Sequence, residues 1–467
     1  MARMTRTAAQ MWLYPMVECQ RSLLTPFSMW AAGAANSLAN PCAPLAYASG
    51  ARCFAAGYEL LHRLSKTYEK PGFAIREIKL EGRKIPVVEQ IVLSKPFCQL
   101  LQFAPQREPA DMSGWRAQKR PARPVVLVCA PLAGHHAVLL REMVETLLLN
   151  HDVYITDWRD ARNVPVADGP FHLDDYVSYM QAFIRHIGAE NLHVIAVCQA
   201  TVPTLAAISL LASEREPTPG SLTLMGGPLD ARSGANAVNL FAANQPLQWF
   251  RETLIHSVPA HYPGAGREVY PGFLQHAGLV AMHPGRLASS HLEYCLDTVR
   301  GDLKGAEAHQ RSCEEYSAVL DMAAEYYLDT VQTVFQEFRL ARGSWYVRGL
   351  PVRPQDIRTT ALLTIEGALD DVSGHGQTHA AQDLCAGIAA RDKRGFTMPR
   401  CGHYDLFSGP CWQTEVYPIV RELIDEYDAS RGSTMSTSST SRRDTLGGNP
   451  DPVPRSKVRR TRHAQNS

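Results

Sequence analysis

Cys198 lies in the stretch His193-Val194-Ile195-Ala196-Val197-Cys198-Gln199-Ala200-Thr201-Val202-Pro203. An apolar run of strand type ends at Val197, one thiol follows, and a helix-forming stretch begins at Thr204 and runs to Leu211. Strand, sharp turn, helix, with the reactive side chain on the turn, is the layout of a nucleophile elbow. The usual pattern is G-x-S-x-G; here it is Ala196-x-Cys198-x-Ala200, with sulfur in place of the hydroxyl and alanine in place of glycine. Small flanking residues still meet the need of the turn, because larger side chains would collide across it. The chemistry implied is acyl transfer through a thiolate. Taken alone, a cysteine after a buried strand is by default a small apolar core residue, so the weight falls on its partners.

A nucleophilic thiol needs a base, and the base needs an acid to orient it. In the α/β-hydrolase arrangement these follow in the order nucleophile, acid, histidine. Thr364-Ile365-Glu366-Gly367-Ala368-Leu369-Asp370-Asp371 reads as a strand running into a loop with a carboxylate. Asp370 is the expected acid from its spacing to Gly367; Asp371 is the alternative, and Glu366 falls too early, at the strand end. Pro399-Arg400-Cys401-Gly402-His403-Tyr404-Asp405 reads as the loop after a last strand, where Gly402 permits the sharp turn that aims an imidazole back at the sheet. Of the 17 histidines only His403 combines this order and context. His375 and His379 read as surface or rim groups. An oxyanion hole is expected from the backbone N–H of Gln199 and from the loop Ala130-Pro131-Leu132-Ala133-Gly134-His135-His136. Pro131 has no N–H, so Leu132 or Ala133 supplies the second donor, and His135 and His136 are candidates to line the substrate pocket.

These loops need a scaffold. Ile85 to Leu93 and Cys98 to Phe103 read as an antiparallel hairpin. After a linker from Arg107 to Pro124, strands at Pro124 to Ala130, Asp152 to Trp158, Leu192 to Val197 and Leu222 to Met225 alternate with helices at Val138 to Leu149 and Leu173 to Gly188. That alternation predicts an α/β protein of α/β-hydrolase type, a mostly parallel sheet flanked by helices. From 230 to 343 no strand pattern stands out and helical patterning dominates, above all Tyr316 to Phe338. An insertion that long predicts a helical cap over the site. Strands return at Thr360 to Glu366 and Phe396 to Met398, with a closing helix from Trp412 to Tyr427. The expected division is an N-terminal helical segment (1–57), a first core part (58–229), the cap (230–343), a second core part (344–428) and a disordered basic tail (429–467). The N-terminal segment, with prolines at 15, 26, 41 and 44, reads as short amphipathic helices that dock on the core or face an apolar phase.

Composition narrows the class. No apolar run is long enough to span a membrane, and Glu18 and Arg21 interrupt the N-terminal stretch before a signal-peptide core develops. The protein therefore reads as cytoplasmic. Eleven scattered cysteines predict reduced thiols and not a disulfide framework. They also lack zinc spacing, so no metal site is expected. The net charge of +1 conceals an asymmetry: eight Lys/Arg against two Asp in 429–467 give the tail +6 and leave the body at −5. An acidic body predicts no nucleic-acid partner.

Most of the chain also resembles the intracellular polyhydroxyalkanoate (poly-3-hydroxybutyrate) depolymerases, over roughly residues 10 to 428. The resemblance rests on Ala55 to Leu61, Pro131 to His136, Val153 to Trp158, His193 to Val202, Tyr270 to Ala277 and Arg353 to Ile357. It implies a triad of Cys198, Asp370 and His403, and action on amorphous polymer granules inside a bacterial cell, with the granule surface as partner. It implies no resident cofactor; the acyl group passes to water or to the thiol of coenzyme A. Ala200 departs from the proline expected after V-C-Q. Two rivals remain, a polyhydroxyalkanoate synthase-like acyltransferase, whose elbow resembles G-x-C-x-G, and a granule-binding protein without catalysis. Oligomeric state is not legible.

Overall fold

The computed structural model describes residues 8–428 except 41, 49, 67, 81, 107–122 and 283. Its centre is a nine-stranded sheet: β1 (Glu77–Leu80), β2 (Arg83–Ser94), β3 (Cys98–Pro105), β4 (Val125–Cys129), β5 (Asp152–Trp158), β6 (Leu192–Val197), β7 (Ser221–Met225), β8 (Ala361–Gly367) and β9 (Lys393–Met398). Their spatial order is β1-β2-β3-β5-β4-β6-β7-β8-β9. The edge from β1 through β5 is antiparallel, and every pairing from β5 to β9 is parallel. Parallel strands must be covered on both faces, which demands continuous apolar runs. β6, β7 and β8 meet this, being buried at every position.

Among the covering helices are α3 (Arg141–Leu147), α4 (Leu173–Ile187) and α5 (Thr201–Ser213). Helix α4 buries Leu173, Tyr176, Val177, Met180, Phe183 and Ile184 on one stripe. Helix α5 is buried from Thr201 to Leu211, as expected of a helix apolar all round. It leaves the elbow directly, so the element carrying Cys198 is clamped between the strand core and a buried helix.

Between β7 and β8 the chain leaves the sheet. It forms α6 (Ala237–Asn244), α7 (Leu247–Leu254), α8 (Gly272–Met282), α9 (Pro284–Arg300), α10 (Leu303–Ser317) and α11 (Ala324–Thr330). The expected helix from Tyr316 to Phe338 is broken. α10 stops at Ser317, Val319 bridges His135, and Met322–Ala323 pairs with Glu268–Tyr270 before helix resumes. A tertiary pairing overrides the helical pattern there. The small sheet of His256–Ser257, Glu268–Tyr270 and Met322–Ala323 was not foreseen, since runs of two or three residues show no alternation.

The N-terminus also differs. In place of short helices it holds one long helix, α1 (Ala8–Ala39), with Pro15 and Pro26 inside it, followed by α2 (Ala51–Ser65). The break expected at residue 57 falls inside α2. Long-range bonds tie α1 down on either side of the prolines: Tyr14 Oη donates to Asp321 at 2.5 Å, and Ser28 Oγ lies 2.8 Å from His62 Nδ1 on α2. The tail 429–467 and most of the linker lie outside the described residues. No helix among the described residues is long and apolar enough to cross a membrane.

Candidate active site

The elbow forms where β6 ends. Cys198 has φ of 54°, a left-handed conformation that non-glycine residues adopt at a cost and that clusters at functional turns. Ala196 and Ala200, either side of it, are fully buried, so larger side chains have no room. Thr201 locks the turn from the helix side, its hydroxyl donating to the Cys198 carbonyl at 2.7 Å. That threonine in turn requires Gly227, where a Cβ would stand 1.8 Å from Thr201 Oγ1. The thiol itself stays partly exposed.

Two neighbouring strand ends supply its partners. Beyond β8, Asp370 Oδ1 accepts from the N–H groups of Val372 (2.9 Å) and Ser373 (2.8 Å), which fixes the carboxylate. Its Oδ2 accepts from His403 Nδ1 at 2.8 Å, with both side chains almost wholly buried. Beyond β9, the loop bearing His403 is stitched to the acid loop by Leu369 N–H donating to the Cys401 carbonyl at 3.1 Å. Gly226, at the end of β7, leaves the space the imidazole occupies: a Cβ there would lie 3.2 Å from His403 Cε1. With Nδ1 committed to Asp370, Nε2 is the nitrogen left to serve sulfur, and a hydrogen bond joins the Cys198 thiol to the His403 ring. The structure thus brings together Cys198, Asp370 and His403.

Glu366 is buried and holds the loop after β8, accepting from the N–H groups of Gly376, Thr378 and His379. His375 is on the surface beside it, and His379 bridges Thr364 and Thr397. None of the three joins the triad.

Electrostatics sharpen the pairing. Burial of His403 works against its charged form, but the facing Cys198 sulfur and the Asp370 carboxylate outweigh it and raise its pKa to about 10. The imidazolium is thereby favoured when the sulfur is anionic. Elsewhere burial pushes the Cys98, Cys129 and Cys385 thiols up, Cys129 and Cys385 to about 12, which leaves them inert.

The oxyanion loop flanks the elbow through strand register. Cys129 of β4 pairs with Ala196 of β6, so the residues that follow β4 run beside Cys198. The start of this loop is pinned: Trp158 Nε1 and Tyr176 Oη both donate to the Ala130 carbonyl (2.8 and 3.0 Å), and Ala130 N–H donates to Thr156 Oγ1 (2.9 Å). Its far end is pinned too, with Leu320 N–H donating to the Gly134 carbonyl at 2.7 Å and Gly134 at φ +88°. Leu132 and Ala133 lie between these anchors. His135 is buried against Tyr316 and Tyr404, its Nε2 3.3 Å from the Tyr404 hydroxyl. His136 is buried and pushed down to about 3, so it is a neutral ring. Thr201, Gly226, Gly227, Trp158 and Tyr176 are supporting residues that sequence reasoning missed; Thr201 acts on Cys198 three residues before it, while the other four act on residues distant in the chain that no local spacing marks.

One expectation about cysteine is overturned. Cys401 and Cys411 form a disulfide with a Cα separation of 6.6 Å, beside His403. The loop 401–411 folds back on itself and brings together two residues whose spacing of ten has no motif meaning. Alkylation of the denatured, unreduced protein, read by intact mass, is expected to modify nine of the 11 cysteines, and all 11 after reduction.

A sheet whose antiparallel hairpin leads into parallel strands crossing over at β5-β4, with a cysteine on the turn after β6, an aspartate on the loop after β8 and a histidine on the loop after β9, has the arrangement of an α/β-hydrolase. The family comparison is more particular. Residues 226–428 match the family described as PHB de-polymerase C-terminus. The match holds the cap, Asp370 and His403; Cys198 lies upstream of it. No curated protein matches the chain. Among solved structures it is similar to a putative lipase from Acinetobacter baumannii (11% identity, 73% of this chain and 93% of that one, TM-score 0.40). It is also similar to a haloalkane dehalogenase from Bradyrhizobium elkani (11% identity, 74% and 99%, TM-score 0.40) and to a prodiginine-pathway thioesterase from Streptomyces coelicolor (14% identity, 67% and 92%, TM-score 0.36). Scores this low carry no weight for function, and the fold class rests on strand order.

Proposed function

We propose that the protein cleaves the ester bonds of amorphous poly-3-hydroxybutyrate through an acyl-enzyme on Cys198. The observation that carries this is the convergence of Cys198, Asp370 and His403 from beyond β6, β8 and β9, with His403 bonded to Asp370 and under the influence of the Cys198 sulfur, in a chain whose residues 226–428 match the PHB de-polymerase C-terminus family. His403 Nε2 takes the thiol proton, and Asp370 holds the tautomer and supports the imidazolium. The thiolate attacks the ester carbonyl, and the oxyanion is received by the N–H groups of Gln199 and of Leu132 or Ala133. The imidazolium then protonates the departing alcohol end. A thioester remains on Cys198, and water or the thiol of coenzyme A removes the acyl group. Thioester exchange is nearly isoenergetic, which favours keeping both acceptors in the test.

The experiment is incubation of purified protein with amorphous granules, with and without coenzyme A, and identification of the products. Free 3-hydroxybutyrate or its oligomers indicates hydrolysis, and 3-hydroxybutyryl-CoA indicates thiolysis. Growth of polymer from 3-hydroxybutyryl-CoA would instead indicate a synthase, and no release from granules would refute the proposal.

Docking on the granule falls to the N-terminal helices in this proposal. Trp12, Met16, Leu23, Met29 and Trp30 of α1 and Phe54 of α2 are all more than half exposed, too many large apolar groups for an ordinary surface. Replacing Leu23, Met29 and Phe54 together by serine is expected to reduce co-sedimentation with granules at least about fivefold, since each loses apolar burial on the order of 1.5 kcal/mol. Turnover of a short soluble ester should stay unchanged.

A further inference from the structure

A second cavity lies behind the segment that braces the oxyanion loop. Ser317, Val319 and Asp321 line it, and the same segment bridges His135 through Val319 and bonds Gly134 through Leu320. Its volume is about 320 Å³. None of the triad residues lines it; it is walled by α1, α2, α8, α9 and the loop after β5.

Its lining is cationic. Arg21, Arg63, Lys66 and Arg162 converge on it from three parts of the chain, against the single carboxylate of Asp321. Asp321 is already engaged, accepting from the Tyr14 hydroxyl and from Gly272 N–H. Each cation has a carboxylate of its own, Glu18, Glu59, Glu314 and Asp160 respectively, but none of those four faces the cavity. One such contact engages only part of a guanidinium with five N–H donors or an ammonium with three. Arg63 is 4% exposed, yet its Nη2 has no hydrogen-bond partner. The same holds for His276 Nε2 and His291 Nδ1, two further lining residues. Burial keeps both imidazoles neutral, so their free nitrogens donate or accept according to tautomer. Arg63 Nη2, on a guanidinium stacked against Tyr294, can only donate. Buried polar nitrogens are normally satisfied, and this orphan donor beside three further cations points to an occupant rich in acceptor oxygens.

We propose that this cavity binds an anionic oxygen group, either the phosphate of a phosphorylated small molecule or the free carboxylate of a hydroxyacid chain end. Charge-assisted bonds from arginine and lysine suit both. The site stands on the cavity alone and does not depend on the chemistry at Cys198.

The test is isothermal titration of the full chain with pyrophosphate and, separately, with 3-hydroxybutyrate, at ionic strength matched with sodium chloride. Saturable one-to-one binding of either is expected, weakened roughly tenfold by Lys66→Gln and by Arg21→Gln, as the loss of one charge-assisted bond predicts. Pyrophosphate binding alone identifies the phosphate source, and 3-hydroxybutyrate binding alone the carboxylate. In the unsubstituted protein the bound probe is also expected to slow acetylation of Lys66, read by peptide mass, which covers the case of a variant that fails to fold. No saturable heat with either probe, or unchanged affinity in folded variants, overturns the site.

Discussion

Cys198→Ala is expected to abolish cleavage of poly-3-hydroxybutyrate, lowering kcat by about four orders of magnitude or more, as removal of a triad nucleophile does. The melting temperature should fall only modestly at neutral pH, by the support that Cys198 lends the His403 imidazolium, since no core packing is lost. The thiol is partly exposed, and alanine retains the Cβ that already tolerates φ of 54°. Granule binding should also persist, because the exposed apolar face of α1 and α2 is untouched. That pattern, chemistry lost with fold and docking retained, separates a nucleophile from a core cysteine, whose loss would lower stability first. Kinetics on amorphous granules, co-sedimentation and calorimetry of the one variant check all three.

Asp370→Asn is the second large effect, a fall in kcat of about three to four orders of magnitude. The amide can still accept from Val372 and Ser373 through its oxygen, so the loop should hold. Its NH2 would then face His403 Nδ1, forcing that nitrogen to accept and placing the ring proton on Nε2, where it cannot take a proton from sulfur. The variant should also move the titration of His403. In the native protein this pKa is raised to about 10, above the ordinary value of about 6.5. A raised histidine value means stabilisation that is complete below about pH 6.5 and is lost as pH rises through about 10. The stability gap between native protein and variant should therefore be widest at neutral and lower pH, and should narrow as the pH approaches 10. Chemical-shift titration of His403 should show a lower pKa in Asp370→Asn, and in Cys198→Ala as well. An unchanged value in both would break the electrostatic link among the three groups.

The parts of the fold legible in the sequence were those with strong, uninterrupted patterns. β5 and β6 begin and end where the sequence pattern places them, at Asp152–Trp158 and Leu192–Val197, and β6 is buried at every position, as a central parallel strand must be. The position of Asp370 was legible because it follows the fully buried β8 on a loop after Gly367, and that of His403 because Gly402 precedes it on the loop after the last strand, although β9 itself is mostly exposed. The failures lie where contacts distant in sequence decide. Tyr316 to Phe338 has helical periodicity throughout, but Val319 is drawn into a bridge with His135. Pro15 and Pro26 argued for breaks, yet α1 runs through both while bonded to the cap and to α2. The Cys401–Cys411 pairing depends on how one loop folds back, and Gly226 and Gly227 owe their lack of a side chain to His403 and Thr201, which no spacing encodes. The cationic cavity is of the same kind, its residues scattered from position 17 to position 321.

The central claim is that ester cleavage passes through a thioester on Cys198. Turnover of a 3-hydroxybutyrate oligomer, quenched in acid within milliseconds and followed by peptide mass spectrometry, tests it directly. A hydroxybutyryl adduct on the peptide containing Cys198, absent in Cys198→Ala, is the predicted result. Undiminished cleavage by Cys198→Ala, or an adduct on another residue during turnover, would contradict it.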